Sequence, residues 1–243
     1  MHENTQQFSS GHFGFSGARI ATLGANEYTV VGVALDRSGS VHDFKDGIEA
    51  AMTRIVQACQ DSPRADNLLL RVTTFDREII EVHGFRKLAD CPPASYGGVL
   101  GDCNGVCTSL FDAAENTTRA VLGYGEQLTQ SDFTANGILF VVTDGLDNNS
   151  AATPKSVRNA LAEAVKGEKL ESLVSVLIGV NLVDQSVQRL LEEFAKEAGF
   201  TQFAALDSAN TKTLTRLAEF VSKSISAQSQ ALGTKGPSQP IAI

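Results

Sequence analysis

Apolar runs alternate with helical patterns through the middle of the chain. Three runs are apolar at nearly every position, Tyr28–Leu35, Gly137–Val142 and Leu173–Val180. Such runs are typical of strands that are buried on both faces of a sheet. Shorter strands are predicted at Leu68–Phe75, Ile79–Val82 and Phe200–Ala204.

Between these runs, apolar residues recur with the 3.6-residue period of amphipathic helices. The predicted helices cover residues 44–59, 109–122, 154–165, 187–198 and 211–229. Strands that alternate with helices over one domain favour an α/β fold. We therefore predict a doubly wound, mostly parallel central sheet with helices on both faces.

The two ends of the chain lack these patterns. Residues 1–25 are rich in Gly, Ser and Gln around Phe8, Phe13 and Phe15, and residues 231–243 contain Gly, Pro and Ser without periodicity. We predict a flexible N-terminal arm over residues 1–25, a folded domain over residues 26–230 and a disordered C-terminal tail over residues 231–243.

Composition and charge limit the partners that the protein is expected to bind and the cellular compartment in which it is expected to act. The chain has 243 residues, and its 20 Lys and Arg against 28 Asp and Glu give a net charge of −8. This balance argues against nucleic acid as a partner, since phosphate binding needs concentrated positive charge. No apolar run approaches the ~18–20 residues of a membrane span, and no basic segment followed by an apolar one begins the chain. We expect a cytoplasmic protein that does not bind membranes.

Four cysteines raise the question of a zinc site. Cys91, Cys103 and Cys107 fall in one stretch rich in Gly and Pro, whereas Cys59 lies in a helical pattern. Structural zinc sites use four soft ligands in tightly spaced pairs, and no nearby His or second Cys pair completes such a set here. We therefore favour free thiols over zinc.

Polar residues follow the predicted central strands where each strand ends. The first strand is followed by Asp36-Arg37-Ser38-Gly39-Ser40, and the second by Thr143-Asp144-Gly145, while Thr108 precedes the mid-chain helix. The carboxyl ends of parallel strands meet at one rim of a sheet, where ligands commonly bind. Hard divalent cations prefer oxygen ligands. The predicted site is a Mg²⁺ site, with Mn²⁺ or Ca²⁺ as alternatives, formed by Asp36, Ser38, Ser40, Thr108 and Asp144.

Each fragment alone has an ordinary alternative. Asp, Ser and Gly are common in turns and at helix N-caps. Asp76 is better explained by a turn, and Asp147 and Asn148 either add negative potential or shape their loop. His42 falls near the rim and is better explained as a solvated loop residue.

Three motifs follow one another along the chain, Asp36–Ser40, Thr108–Ala113 and Val141–Gly145. In this order they resemble the three motifs of the von Willebrand factor A domain. The resemblance covers roughly residues 28–230 and implies a metal-ion-dependent adhesion site. In such a site Ser38, Ser40 and Thr108 contact the metal through their hydroxyl groups, and Asp36 and Asp144 hold it directly or through water.

The resemblance also implies a function. The metal would bind an Asp or Glu of a partner protein, and the chain would act as an intracellular adaptor or assembly component. Intracellular relatives suggest a MoxR-type AAA+ ATPase or another macromolecular assembly as the partner.

The alternative is a metal-dependent hydrolase or phosphatase that uses the same Asp, Ser and Thr residues. An aspartate-nucleophile phosphatase would have a second acid where Ser38 stands, and no phosphate-binding loop, zinc-protease or nucleophile-elbow motif occurs. No G-x-G-x-x-G follows the first strand, which argues against a dinucleotide site. We expect a binding module and not an enzyme.

Overall fold

The computed structural model describes residues 5–166 and 169–232. Its strands are β1 (Thr5–Ser10), β2 (Phe13–Ala18), β3 (Glu27–Asp36), β4 (Leu68–Phe75), β5 (Ile79–Lys87), β6 (Thr134–Thr143), β7 (Leu173–Gly179) and β8 (Gln202–Ala205). Its α-helices are α1 (Lys45–Gln60), α2 (Leu110–Thr129), α3 (Pro154–Lys166), α4 (Gln185–Ala198) and α5 (Thr211–Ala231).

The eight strands form one sheet in the order β1-β2-β5-β4-β3-β6-β7-β8. The pairs β1–β2 and β4–β5 are antiparallel. The remaining neighbours are parallel, although β2 and β5 share only the pair Gly17 and Phe85. The sheet is therefore mixed.

The predicted fold class, a doubly wound and mostly parallel sheet, is wrong. A short turn at Asp76, whose N–H donates to the Glu78 carbonyl at 3.1 Å, returns the chain as a long β5 antiparallel to β4. The N-terminal hairpin then pairs with β5 and extends the sheet by two strands. An antiparallel neighbour needs only a tight turn, whereas a parallel neighbour needs a helical crossover, and the chain uses both connections.

The three apolar runs form parallel, buried strands, as predicted, and these strands are neighbours in the sheet. Strand β3 pairs with β6 from Glu27–Thr134 to Leu35–Val142, and β6 pairs with β7 from Gly137–Leu173 to Thr143–Gly179. One face of the sheet packs against α1 and α5, and the other against α2, α3 and α4. Both faces of these strands are therefore buried, which explains their nearly continuous apolar sequence.

The N-terminal segment predicted as a flexible arm contains the β1–β2 hairpin. Phe15 is 2% exposed, and its ring stacks on Phe8 with centroids 5.6 Å apart. The Tyr124 ring of α2 stacks on Phe85 at 4.8 Å, and its hydroxyl donates to the Ala18 carbonyl at 2.8 Å. Aromatic packing on α2 therefore holds the hairpin, and the segment adds two strands to the domain.

Two further expectations fall partly or wholly beyond the described part. Helix α5 ends at Ala231, and residues 233–243 of the predicted tail lie outside the described residues. The side chain of Val165, in the predicted third helix, lies outside them too. In the described residues, no helix combines the length and the apolar character that crossing a membrane requires.

Candidate metal centre

Asp36 stands at the end of the central strand β3 and is almost fully buried. Its side chain is 1% exposed. One carboxylate oxygen, Oδ1, accepts a hydrogen bond from the Ser38 N–H at 2.8 Å, and the other, Oδ2, accepts one from the Thr143 hydroxyl at 2.7 Å. Thr143 ends the neighbouring strand β6, so this pair ties the ends of two strands together.

A chain of hydrogen bonds runs outward from this carboxylate to the surface. The Ser38 and Ser40 hydroxyl oxygens are 3.1 Å apart, and the Ser40 hydroxyl donates to Asp144 Oδ1 at 2.8 Å. Ser38 is buried, Asp144 is half-buried and Ser40 is exposed. The structure therefore brings four of the five predicted ligands, Asp36, Ser38, Ser40 and Asp144, into one cluster of oxygen atoms at the rim.

Thr108, the fifth predicted ligand, lies at the same rim in the loop before α2. It is 7% exposed, its N–H donates to Asn148 Oδ1 at 2.8 Å, and its carbonyl accepts from the Asn148 N–H at 3.0 Å. The same loop reaches the first motif through the Gly39 N–H, which donates to the Gly105 carbonyl at 2.7 Å. Within residues 5–166 and 169–232, no hydrogen bond joins the Thr108 side chain to the other four, so the structure places Thr108 at the rim through its backbone alone.

The two carboxylates are in an environment that disfavours their negative charge. The pKa of Asp36 is raised to about 6, chiefly by burial and least by the charge of Asp144, against the lowering effect of the hydrogen bonds from Thr143 and Ser38. Burial also raises the pKa of Asp144. Among the described residues, neither carboxylate forms an ion pair. Arg37, the residue next to Asp36, pairs instead with Asp76 at 3.0 Å. A bound cation would reverse these effects by favouring the ionised forms.

The ligands at the rim differ from the Cys and His ligands of a zinc site. In the described part of the chain, no group of three or more His, Cys, Asp or Glu side chains is placed to hold a metal ion. The predicted ligands at the rim do not form such a group, because only two of them are carboxylates and the other three are hydroxyl groups of Ser and Thr. Cys91 and Cys103 are buried free thiols that donate to the Lys87 and Leu100 carbonyls, each at 3.6 Å.

Several residues that support the rim were not among the predicted site residues. Thr143 belongs to the third motif, but its hydrogen bond to Asp36 depends on the register between β3 and β6. Asp147 Oδ1 accepts from the Phe111 N–H at 3.2 Å and so caps α2, while Asn148 holds Thr108. This bond is of the kind expected if Asp147 shapes its loop. Asp76 ends a strand at a turn, as predicted, and also anchors Arg37.

Comparisons with known proteins give structural neighbours. No family model and no curated protein matches the chain. The pilus adhesin SpaC from Lactobacillus rhamnosus GG is similar with a TM-score of 0.59 and 12% identity, over 84% of this chain and 31% of that one. The PilB minor pilin from Streptococcus sanguinis is similar with a TM-score of 0.61 and 14% identity, over 88% of this chain and 64% of that one. BatB from Bacteroides thetaiotaomicron has a TM-score of 0.47 and 16% identity, over 80% of this chain and 98% of that one.

These neighbours define the fold and not the function. The chain spans less than two thirds of the length of SpaC and of PilB. At these identities the likeness shows a shared fold for the matched parts. The described domain thus has the fold of part of a pilus adhesin and of a minor pilin, in place of the doubly wound, mostly parallel sheet that the sequence predicts.

Proposed function

We propose that the rim binds a divalent cation, Mg²⁺ with Mn²⁺ or Ca²⁺ as substitutes, and that the bound cation binds an acidic residue of a partner protein. The observation that carries this proposal is the cluster of Asp36, Ser38, Ser40 and Asp144, in which the Ser38 N–H donates to Asp36 and hydroxyl contacts join Ser38 to Ser40 and Ser40 to Asp144. It contains two carboxylates and two hydroxyls. The site is of the kind that the resemblance to the von Willebrand factor A domain implies.

The residues at the rim fit a hard cation on chemical grounds. Mg²⁺ and Ca²⁺ are bound by oxygen atoms, often with one or two carboxylates and with retained water. Asp36 and Asp144 supply negative charge that no cationic side chain of the described residues neutralises. Ser38, Ser40 and Thr108 supply neutral oxygens. A cation there would neutralise both carboxylates and offset the cost of burying them.

A cation held by few charged ligands keeps affinity for an acid from outside. The two carboxylates balance the charge of +2, and the hydroxyls are neutral, so a third carboxylate would bind by replacing a water at a coordination position that the protein leaves open. The partner's Asp or Glu would fill this position. Ser40 is exposed and Asp144 is half-buried, so the outer part of the cluster is open to a partner.

A binding role is proposed in preference to catalysis. A hydrolase that used the same site would need a positioned base. The nearest candidate from the sequence, His42, has its Nδ1 3.0 Å from the Asp102 carbonyl oxygen. That contact orients the ring toward residues 101–108. The group that acts in the proposed site is therefore the cation.

Selection from a random peptide library tests the proposed function. We expect peptides selected on the protein in Mg²⁺ to contain Asp or Glu, to be released by EDTA, and to lose binding when that acid is changed to its amide. The protein variant Asp144→Asn should select no such peptides, whereas Asp90→Asn, an exposed site at the opposite end of the sheet, should behave like the wild type. The proposal is contradicted if the acidic peptides stay bound in EDTA, or if the Asp144→Asn variant selects the same acidic peptides as the wild type.

A further inference from the structure

A second cleft lies beside the rim, between the N-terminal hairpin and the first turns of α2 and α3. Its volume is about 560 Å³, within the range of small-molecule sites. Phe13 and Ile79 form an apolar wall, and Arg77, Asp112 and Asn116 add polar groups. Strands β2 and β5 and helix α2 thus converge on one cavity that shares no residue with the five proposed metal ligands.

Asn116 lines this cleft with a polar side chain that lacks a partner. It is 7% exposed, its Oδ1 atom is fully buried, and its side chain makes no hydrogen bond to any residue of the described part. A buried polar group without a hydrogen bond costs free energy, and most such groups in proteins have a partner. Oδ1 is closed off from the cleft, so the atom that can meet a ligand is Nδ2, which has no hydrogen bond to a described residue and can donate to a carbonyl oxygen of the ligand.

The cleft also holds one uncompensated charge of each sign. Arg77 is exposed, and its only side-chain hydrogen bond within residues 5–166 and 169–232 is to Cys107 Sγ at 3.6 Å. The Asp112 carboxylate accepts from the N–H groups of Ala151 and Ala152 at 3.1 and 2.7 Å, and it forms no ion pair with a described residue. The adjacent Glu115 differs, since Arg119 neutralises it at 2.7 Å.

We propose that this cleft binds a zwitterionic ligand, a short peptide with free termini. The planar guanidinium group of Arg77 matches the geometry of the ligand's terminal carboxylate. The Asp112 carboxylate binds the terminal ammonium group, and Asn116, one turn further along α2, donates through Nδ2 to the peptide carbonyl. The wall of Phe13 and Ile79 takes an apolar side chain of the ligand.

Titration with a dipeptide and its blocked forms tests this proposal. The probe is alanyl-leucine, added to the ¹⁵N-labelled full chain in EDTA so that the result does not depend on metal. We expect saturable shifts of amide signals around Asn116 and Phe13. Acetylating the amino group or amidating the carboxyl group should each weaken binding about tenfold, since each removes a charge-assisted hydrogen bond.

Variants then connect each ligand charge with one residue. Arg77→Gln should weaken binding of the free dipeptide about tenfold and should not weaken the amidated form further, and Asp112→Asn should show the same relation to the acetylated form. Arg216→Gln on α5, which packs against the opposite face of the sheet, is the matched control. Equal binding of free and blocked dipeptides, or no saturable shift at millimolar dipeptide, would overturn the proposal.

Discussion

Asp36→Asn should lower the affinity for Mg²⁺ about 100-fold, because it removes one of two negative charges around a dication. The amide is nearly the same size as the carboxylate and can still accept from the Ser38 N–H. Without metal, the variant should be at least as stable as the wild type, because it removes a buried charge whose pKa burial has raised to about 6. Isothermal titration and thermal unfolding, each in Mg²⁺ and in EDTA, measure the two effects.

The matched control for this change is Asp90→Asn. Asp90 is exposed and follows β5 at the opposite end of the sheet from the rim. Its substitution should leave the Mg²⁺ affinity unchanged. The account of the rim fails if Asp36→Asn retains wild-type affinity, or if both variants lose affinity equally.

Gly84→Ala should destabilise the protein by about 3 kcal/mol, near the upper end for overpacking in a well-packed region. A Cβ atom at Gly84 would lie 2.1 Å from the carbonyl oxygen of Ser16, which is backbone and cannot turn aside. Strand β2 would have to move away from β5, and the hydrogen bonds from Ser16 to Glu81 would be lost. Urea unfolding measures the loss, and amide hydrogen exchange in β1 and β2 localises it.

Gly24→Ala is the matched control for this substitution. No atom lies within 4 Å of a Cβ added at Gly24. Its effect should stay within about 0.5 kcal/mol, as for most surface substitutions. Equal stability of the Gly84 and Gly24 variants would show that the hairpin is not held against β5 by close backbone approach.

The sequence predicts the central strands well because a strand that is buried on both faces has apolar residues at nearly every position. Tyr28–Leu35 and Gly137–Val142 are apolar on both faces, and the structure covers both faces with helices. The N-terminal hairpin leaves no such pattern. Its strands TQQFSS and FGFSGA are held by Phe8 and Phe15 against Tyr124, more than 100 residues away. Stabilisation by distant contacts overrides weak local propensity, so composition alone predicts an arm.

In the candidate site too, some features follow from the local sequence and others depend on contacts between distant residues. The spacing within Asp36–Ser40 and the position of Asp144 after a buried strand predict a cluster at one rim, because the ends of parallel strands meet there. The support of Thr143 and Asn148 depends on register and loop pairing, which single motifs do not encode. The cleft around Asn116 joins segments from four distant parts of the chain, so no local pattern predicts it.

Anomalous diffraction from crystals grown with Mn²⁺ is the most direct test of the proposed metal centre. Mn²⁺ takes the same oxygen ligands as Mg²⁺ and scatters anomalously. We predict one strong peak at the rim, bounded by Asp36, Ser38, Ser40 and Asp144, with Thr108 facing it. A map with no peak there, or with Mn²⁺ bound only elsewhere, would contradict the account and leave the rim as a hydrogen-bonded structural cluster.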